Sequence, residues 1–288
     1  MSEDNQRMNT PAQVVYSNIQ TEVNRAKMPV FKLIVFGILA GMFIALGAAG
    51  SSVAMHNVSN VGLSRLLGGL IFPVGLMMIV FIGGELFTGD CLLILGVMDK
   101  KVRVLSMIKV LVIVWLSNLV GAVIIAALAY FSGQFNYTDG LLGAFTIKVA
   151  YGKVTMSFGQ AFSSGILCNI FVCGAVLIAA AAKDIAGKVW GIFFPIMAFV
   201  VSGYEHCVAN MYYIPAGIFA ANSEKYVNAA MSSYGFDADK IAQVNWTNFF
   251  IKSSIPVTLG NMAGGMIFVG AALYYVYYKN VKAMDSGK

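Results

Sequence analysis

The sequence predicts an all-α membrane protein: six transmembrane helices in two inverted three-helix repeats, with the second and fifth helices broken. Composition is the first reason. Hydrophobic residues make up 59% of 288 positions and charged residues 11%, far from the balance of a soluble domain. The second is a set of six apolar runs of about twenty or more residues, the length a bilayer core requires. The third is a polar string inside each of two runs, Gly83-Gly84-Glu85-Leu86-Phe87-Thr88-Gly89-Asp90 and Ser202-Gly203-Tyr204-Glu205-His206-Cys207-Val208-Ala209-Asn210. Ionisable groups in hydrocarbon are costly and usually face a protein-lined path. Each string carries glycine near its start, which marks a break where freed peptide groups can face a cavity.

The runs cover residues 31–53, 66–95, 104–131, 158–182, 189–220 and 247–278. Residues 1–30 form a polar N-terminal segment without a cleavable-signal pattern, 31–278 the six-span domain, and 279–288 a polar tail. The lead-in from Pro11 to Ile19 is amphipathic and predicts either an interfacial helix or a soluble cap. Thirteen of the nineteen Lys and Arg residues fall on one side, and Asp99-Lys100-Lys101-Val102-Arg103 is a dense basic loop between spans. The positive-inside rule therefore puts both termini in the cytoplasm.

Spans one to three carry Glu85 and then Asn118-Leu119-Val120-Gly121. Spans four to six carry Glu205 and then Asn261-Met262-Ala263-Gly264. Three spans per half force opposite orientations, so a path is expected between the halves. Small residues such as Gly37, Gly41, Gly260 and Gly264 fit close helix packing. Cys91, Cys168, Cys173 and Cys207 lie in apolar segments without CxxC spacing, so neither a disulfide framework nor a metal site is expected. The net charge of +6 is spread by topology and forms no stripe, which argues against nucleic acid. No phosphate-binding loop, dinucleotide fingerprint or HExxH pattern is present in the sequence, and no cofactor is expected.

Several motifs together carry a resemblance: Phe72-Pro73-Val74-Gly75-Leu76 leading into Gly84-Glu85-Leu86-Phe87-Thr88-Gly89, Cys168-Asn169, Gly203 to Met211, and Pro256-Val257-Thr258-Leu259-Gly260-Asn261. In order and over nearly the whole chain, they resemble the formate/nitrite transporter family. The resemblance implies an aquaporin-like protomer, a homopentamer in the inner cell membrane, and one pore per protomer for small monovalent anions such as formate, nitrite or hydrosulfide.

Carried over residue by residue, the resemblance makes His206 the central histidine, Thr88 the threonine of the second-helix break, and Lys153 the lysine of the outer half. It makes Asn169 and Asn261 path-facing amides, and Phe72, Leu76, Leu86, Phe87 and Phe199 the apolar constrictions. On physical grounds His206 is the one in-span side chain that ordinarily titrates near neutrality, so it either exchanges a proton with a weak acid or is a hydrogen-bonded structural histidine. Glu205 holds the broken backbone or the surroundings of His206. Thr88 bonds His206 or an anion, or caps the half-helix that follows. A cation at Lys153 would concentrate anions; Lys148 is equally a snorkelling surface lysine. Glu85 and Asp90, being negative, are assigned to scaffolding, and Asp90 departs from the Ser, Thr, Asn or His expected there. Asn118 is assigned to interhelical bonding and His56 to the surface.

Three functions are weighed. A channel or proton-linked carrier for a small anion, formate first, needs both a cation and a titratable centre. A neutral-solute or water pore needs neither. A membrane enzyme using His206 as base and Glu205 as orienter lacks a nucleophile or cofactor motif beside them. Small monovalent anions, protons and the lipid bilayer are the expected partners, and catalysis is not expected.

Overall fold

A computed structural model describes residues 8–287, and these are helical throughout apart from short connections. The first helix, α1 (Pro11–Ala26), begins with a capping box in which Thr10 and Gln13 each bond the other's backbone N–H, and Pro11 takes the first turn. Val15 and Ile19 bury its apolar face. It packs on the segment before span three, the end of the last helix and span four. The amphipathic lead-in is thus an integral part of the fold, lying against one end of the bundle.

Span one is α2 (Val30–Met55). Span two is α3 (Val61–Ile71) and α4 (Val74–Ile82), which together make one 22-residue apolar helix bent at Pro73. Residues 83–86 are non-helical, followed by α5 (Phe87–Asp90) and α6 (Leu93–Met98). Span three is α7 (Val104–Phe131). The second half opens with α8 (Leu141–Val154), then span four, α9 (Phe158–Ala181), whose Ser157–Gln160 capping box matches that of α1. Span five is α10 (Ile185–Ser202); residues 203–206 are non-helical and α11 (Cys207–Ala221) follows. After α12 (Glu224–Tyr234) and α13 (Ala238–Ala242), span six is one helix of 40 residues, α14 (Trp246–Asp285).

Two parts of the chain differ from the sequence reading: the connections that hold α8 and α12, and the C-terminal segment. The second and fifth runs continue past the polar strings as separate helices, because Gly83 (φ +109°) and Gly203 (φ +74°) adopt backbone angles closed to most side chains and stop the helix there. The connections before the fourth span and after the fifth contain α8, which at 14 residues is too short to count as a span, and α12, which is too polar for a search based on apolar runs. The C-terminal segment from 279 is helical to Asp285, because Lys282 bonds Asp99 at 2.7 Å and Lys101 pairs with Asp285 at 2.7 Å.

Two helix pairs form the frame. α2 packs on α7, and α9 packs on α14. In each, a glycine of the Asn-x-x-Gly motif lies against a carbonyl of the facing helix: Gly121 against Ile38, Gly264 against Ile166. A side chain at either position would collide with that backbone. In α14, two π-helical stretches, Phe249–Ser254 and Ala263–Ala271, flank Asn261, and widened turns of this kind often sit beside functional sites.

Candidate functional site

The two breaks are built alike. Asn118 donates its amide hydrogens to the carbonyls of Gly37 (2.8 Å) and Glu85 (2.9 Å), while its oxygen accepts from Phe87 N–H (3.0 Å). Asn261 donates to the carbonyls of Gly165 (2.8 Å) and Glu205 (3.0 Å) and accepts from Cys207 N–H (2.9 Å). Both asparagines are fully buried. Breaking a membrane helix strands peptide groups in a place without water, and each asparagine satisfies three of them. Asn261 therefore has the bracing function that sequence alone gave to Asn118, and its amide is committed to backbone rather than to open space. Asn169 is likewise committed, donating to the carbonyls of Thr88 (3.1 Å) and Asn261 (2.7 Å).

Counting from the carbonyls and N–H groups that Asn118 and Asn261 bind, Glu85 corresponds to Glu205, Leu86 to His206, and Asp90 to Asn210. At the second break, Lys153 in the last turn of α8 donates to both oxygens of Glu205 at 2.9 Å. Asn210 donates to Glu205 Oε2 at 2.7 Å. At the first, Arg25 in the last turn of α1 bonds Glu85, meets Asp90 Oδ1 at 3.2 Å, and pairs with Glu22 one turn back. Lys153 is thus half of a neutral pair, and Glu205 is what neutralises it.

Between the breaks, His206 caps α11 by accepting Ala209 N–H at Nδ1 (3.1 Å), and its Nε2 lies 3.0 Å from Thr88 Oγ1. With Nδ1 occupied as an acceptor, the bonding pattern assigns the neutral Nε2–H form, which donates to the Thr88 hydroxyl oxygen. The Thr88 O–H is left to donate elsewhere. Both residues are buried, at 2% and 0% exposure.

Two cavities approach this pair from opposite ends. The larger, about 820 Å³, is lined by Phe72, Phe199 and His206 at its floor and by Arg65, Lys148, Lys153 and Glu205. The Phe72 and Phe199 rings meet edge to face at 5.5 Å, and Phe199 stacks over His206 at 6.0 Å. The smaller, about 310 Å³, is lined by Leu76 and Leu86 together with Glu22, Arg25, Asp90 and Lys188. Four of the five proposed constriction residues therefore line these cavities, Phe72 and Phe199 the larger and Leu76 and Leu86 the smaller. Phe87 lines neither cavity; its site in the first turn of α5 corresponds to Cys207 in the other repeat.

A profile of the formate/nitrite transporter family matches residues 12–275. The chain belongs to the formate/nitrite transporter family. It is 41% identical over 273 residues to a probable formate transporter of Methanothermobacter thermautotrophicus, covering 88% of this chain and 92% of the relative. It is 35% identical over 282 residues to the formate channel FocA of Haemophilus influenzae, covering 96% and 99%. A solved pentameric formate channel with formate bound superposes with a TM-score of 0.76 at 32% identity, covering 86% of this chain and 98% of that one. A solved FNT family ion channel gives 0.77 at 26% identity, covering 92% and 98%. As a member of this transporter family with six apolar spans, the protein is a multi-pass membrane protein.

One charged residue of the larger cavity escaped the sequence reading. Arg65 on α3 lines the large cavity with its guanidinium against the Gly203 backbone, and it has no ion-pair partner among the described residues. Lys148, in the same cavity, stacks on the Tyr234 ring at 4.4 Å. With Lys153 neutralised, these two supply the excess positive charge of that mouth. An arginine at the head of the second apolar run was itself the signal; counting it only for topology hid it.

Proposed function

We propose that the protein conducts formate across the cell membrane as a homopentamer, one path per protomer, with both termini cytoplasmic. The observation that carries this reading is the Thr88–His206 hydrogen bond held between two cavities by apolar residues on both sides, in a frame superposable on a formate channel with formate bound. The named formate channels among the relatives favour formate over nitrite or hydrosulfide.

Arg65 and Lys148 raise the local anion concentration in the wide cavity, as a cleft lined by one sign of charge does. Phe72 and Phe199 then offer no partner to a charge, so the species that crosses them with least desolvation cost is the neutral acid. At the centre, His206 Nε2–H holds the Thr88 oxygen, which aims the hydroxyl hydrogen at a formate oxygen. Leu76 and Leu86 form the second apolar step. A proton that enters with the acid leaves with it, so flux is coupled to the pH gradient. Lys153, Glu205, Asn169 and Asn261 act on this path by holding its backbone.

Stopped-flow uptake into proteoliposomes under a pH gradient tests the reading. Formate should enter far faster than into protein-free vesicles and carry protons with it, while sulfate should be excluded. Formate flux equal to that of empty vesicles would overturn it.

A further inference from the structure

The N-terminal mouth has a surplus of acid. Glu22, Glu85 and Asp90 converge on the single guanidinium of Arg25. Each of these carboxylates is at least nine-tenths buried. Glu22 Oε2 and Asp90 Oδ2 have no hydrogen-bond partner, and both residues line the 310 Å³ cavity. An unpartnered carboxylate oxygen in such a place is unfavourable, because burial strips its water and supplies no donor in return.

The repeat shows what is missing. At the second break, the residue five positions beyond the glutamate is Asn210, and its amide donates to Glu205 at 2.7 Å. At the first break the equivalent residue is Asp90, in side-chain contact with Glu85. A carboxylate in that place has nothing to donate; a carboxylic acid has one O–H. A metal ion is disfavoured, because a guanidinium already stands where the carboxylates converge. The other charged groups facing the cluster are few. α1 contributes Glu22 and Arg25, the break contributes Glu85 and Asp90, and α10 contributes Lys188 across the cavity. Burial raises the Glu22 carboxyl above its ordinary value despite the opposing pull of Arg25.

We propose that Glu22, Glu85 and Asp90 form a proton-binding site at the N-terminal mouth, where a carboxylic acid hydrogen completes the bond that Asn210 makes in the other repeat and is exchanged with the permeating weak acid. In the outward step, the carboxyl O–H bond breaks as a formate oxygen takes the proton, giving formic acid and a carboxylate held by Arg25. Solvent on the N-terminal side then returns a proton to the carboxylate. The exchange half of this inference rests on the formate reading above; the proton-binding half does not.

Infrared difference spectra of the purified protein in lipid, titrated around neutral pH, separate the two. The wild type should show a protonated-carboxyl C=O band, and Asp90→Asn or Glu22→Gln should remove one carboxyl equivalent per protomer. A wild type without such a band near neutrality, or a band that both variants retain, would overturn the site whatever the substrate proves to be. In vesicles with the N-terminal face exposed to substrate, Asp90→Asn should lose one step of the pH–flux profile from that face and keep the profile from the opposite face. An unchanged profile from the N-terminal face would overturn the exchange.

Discussion

The two helix breaks share one backbone frame and differ in charge. At the second, one lysine meets one carboxylate and an amide completes the set: Lys153, Glu205 and Asn210. At the first, one arginine meets three carboxylates: Arg25 with Glu22, Glu85 and Asp90. The frame is common because both breaks must satisfy the same stranded peptide groups, and Asn118 and Asn261 do so identically. The charges diverge because they lie at opposite mouths. Near the second break, Arg65 and Lys148 stand beside a neutral pair and leave the wide cavity positive. Near the first, a surplus of carboxylate makes the narrow cavity a place to hold a proton. An inverted repeat can thus keep its scaffold and give its two mouths different tasks.

The strongest way to break the comparison is to remove a brace. Asn118→Leu and Asn261→Leu should each destabilise the folded protein by about 3–5 kcal/mol, because three buried backbone groups lose their partner at once. Thermal unfolding in detergent should show similar losses for the two. A large loss for one and none for the other would contradict the shared frame.

Next is the ion pair at the second break. Lys153→Met leaves a buried Glu205 carboxylate with only Asn210, and breaking such a pair costs on the order of 3 kcal/mol. The double variant Lys153→Met with Glu205→Gln should recover a good part of that stability, since no buried charge is left unpaired. A double variant less stable than both single ones would show that Lys153 acts through something other than Glu205.

A smaller effect is expected from the free cations. Arg65→Gln and Lys148→Gln should raise the half-saturating formate concentration severalfold at low salt, with little change in maximal flux, and added salt should shrink the difference. A fall in maximal flux with unchanged half-saturation would place these residues on the narrow part of the path.

The least effect belongs to the C-terminal clamp. Burial opposes ionisation of Asp99, but bonds from Lys282, Lys101 and Tyr274 outweigh it and hold its carboxyl below the ordinary value. A depressed folded value stabilises the protein at pH above the ordinary carboxylate range, and this is lost as pH falls through the folded value. Asp99→Asn should therefore cost about 1 kcal/mol at neutral pH and nothing in strong acid, the figure being small because the Lys282 side chain is 41% exposed. pH-dependent melting curves of the two proteins check the sign.

Much of this was legible in the sequence. Apolar runs fixed by the bilayer, glycines needing positive φ, and the Asn-x-x-Gly pairing are local signals with direct physical causes, and they located the spans, the strings that carry Glu85 and Glu205, and both braces. Contacts between distant segments were not legible. Nothing local in Lys153 says that Glu205 will neutralise it, and a lysine read alone looks like an anion attractor. Asn261 looked like a path residue because a buried amide is equally suited to substrate and to backbone, and only the positions of Gly165, Glu205 and Cys207 decide between them. α8 escaped because its 14 residues are too few for a span, and α12 because a polar helix carries no apolar run. Asp90 was noticed as a departure from the family pattern, but its meaning needed Asn210 as its counterpart.

The central claim is that formate passes the Thr88–His206 pair and takes a hydrogen bond from the Thr88 hydroxyl. Thr88→Val keeps the shape of the side chain and removes that hydroxyl, so stopped-flow formate flux of this variant in proteoliposomes is the most direct test. Flux should fall about tenfold, the equivalent of one hydrogen bond of about 1.4 kcal/mol, while the variant assembles as the wild type does. A correctly assembled Thr88→Val protein that carries formate at the wild-type rate would contradict it.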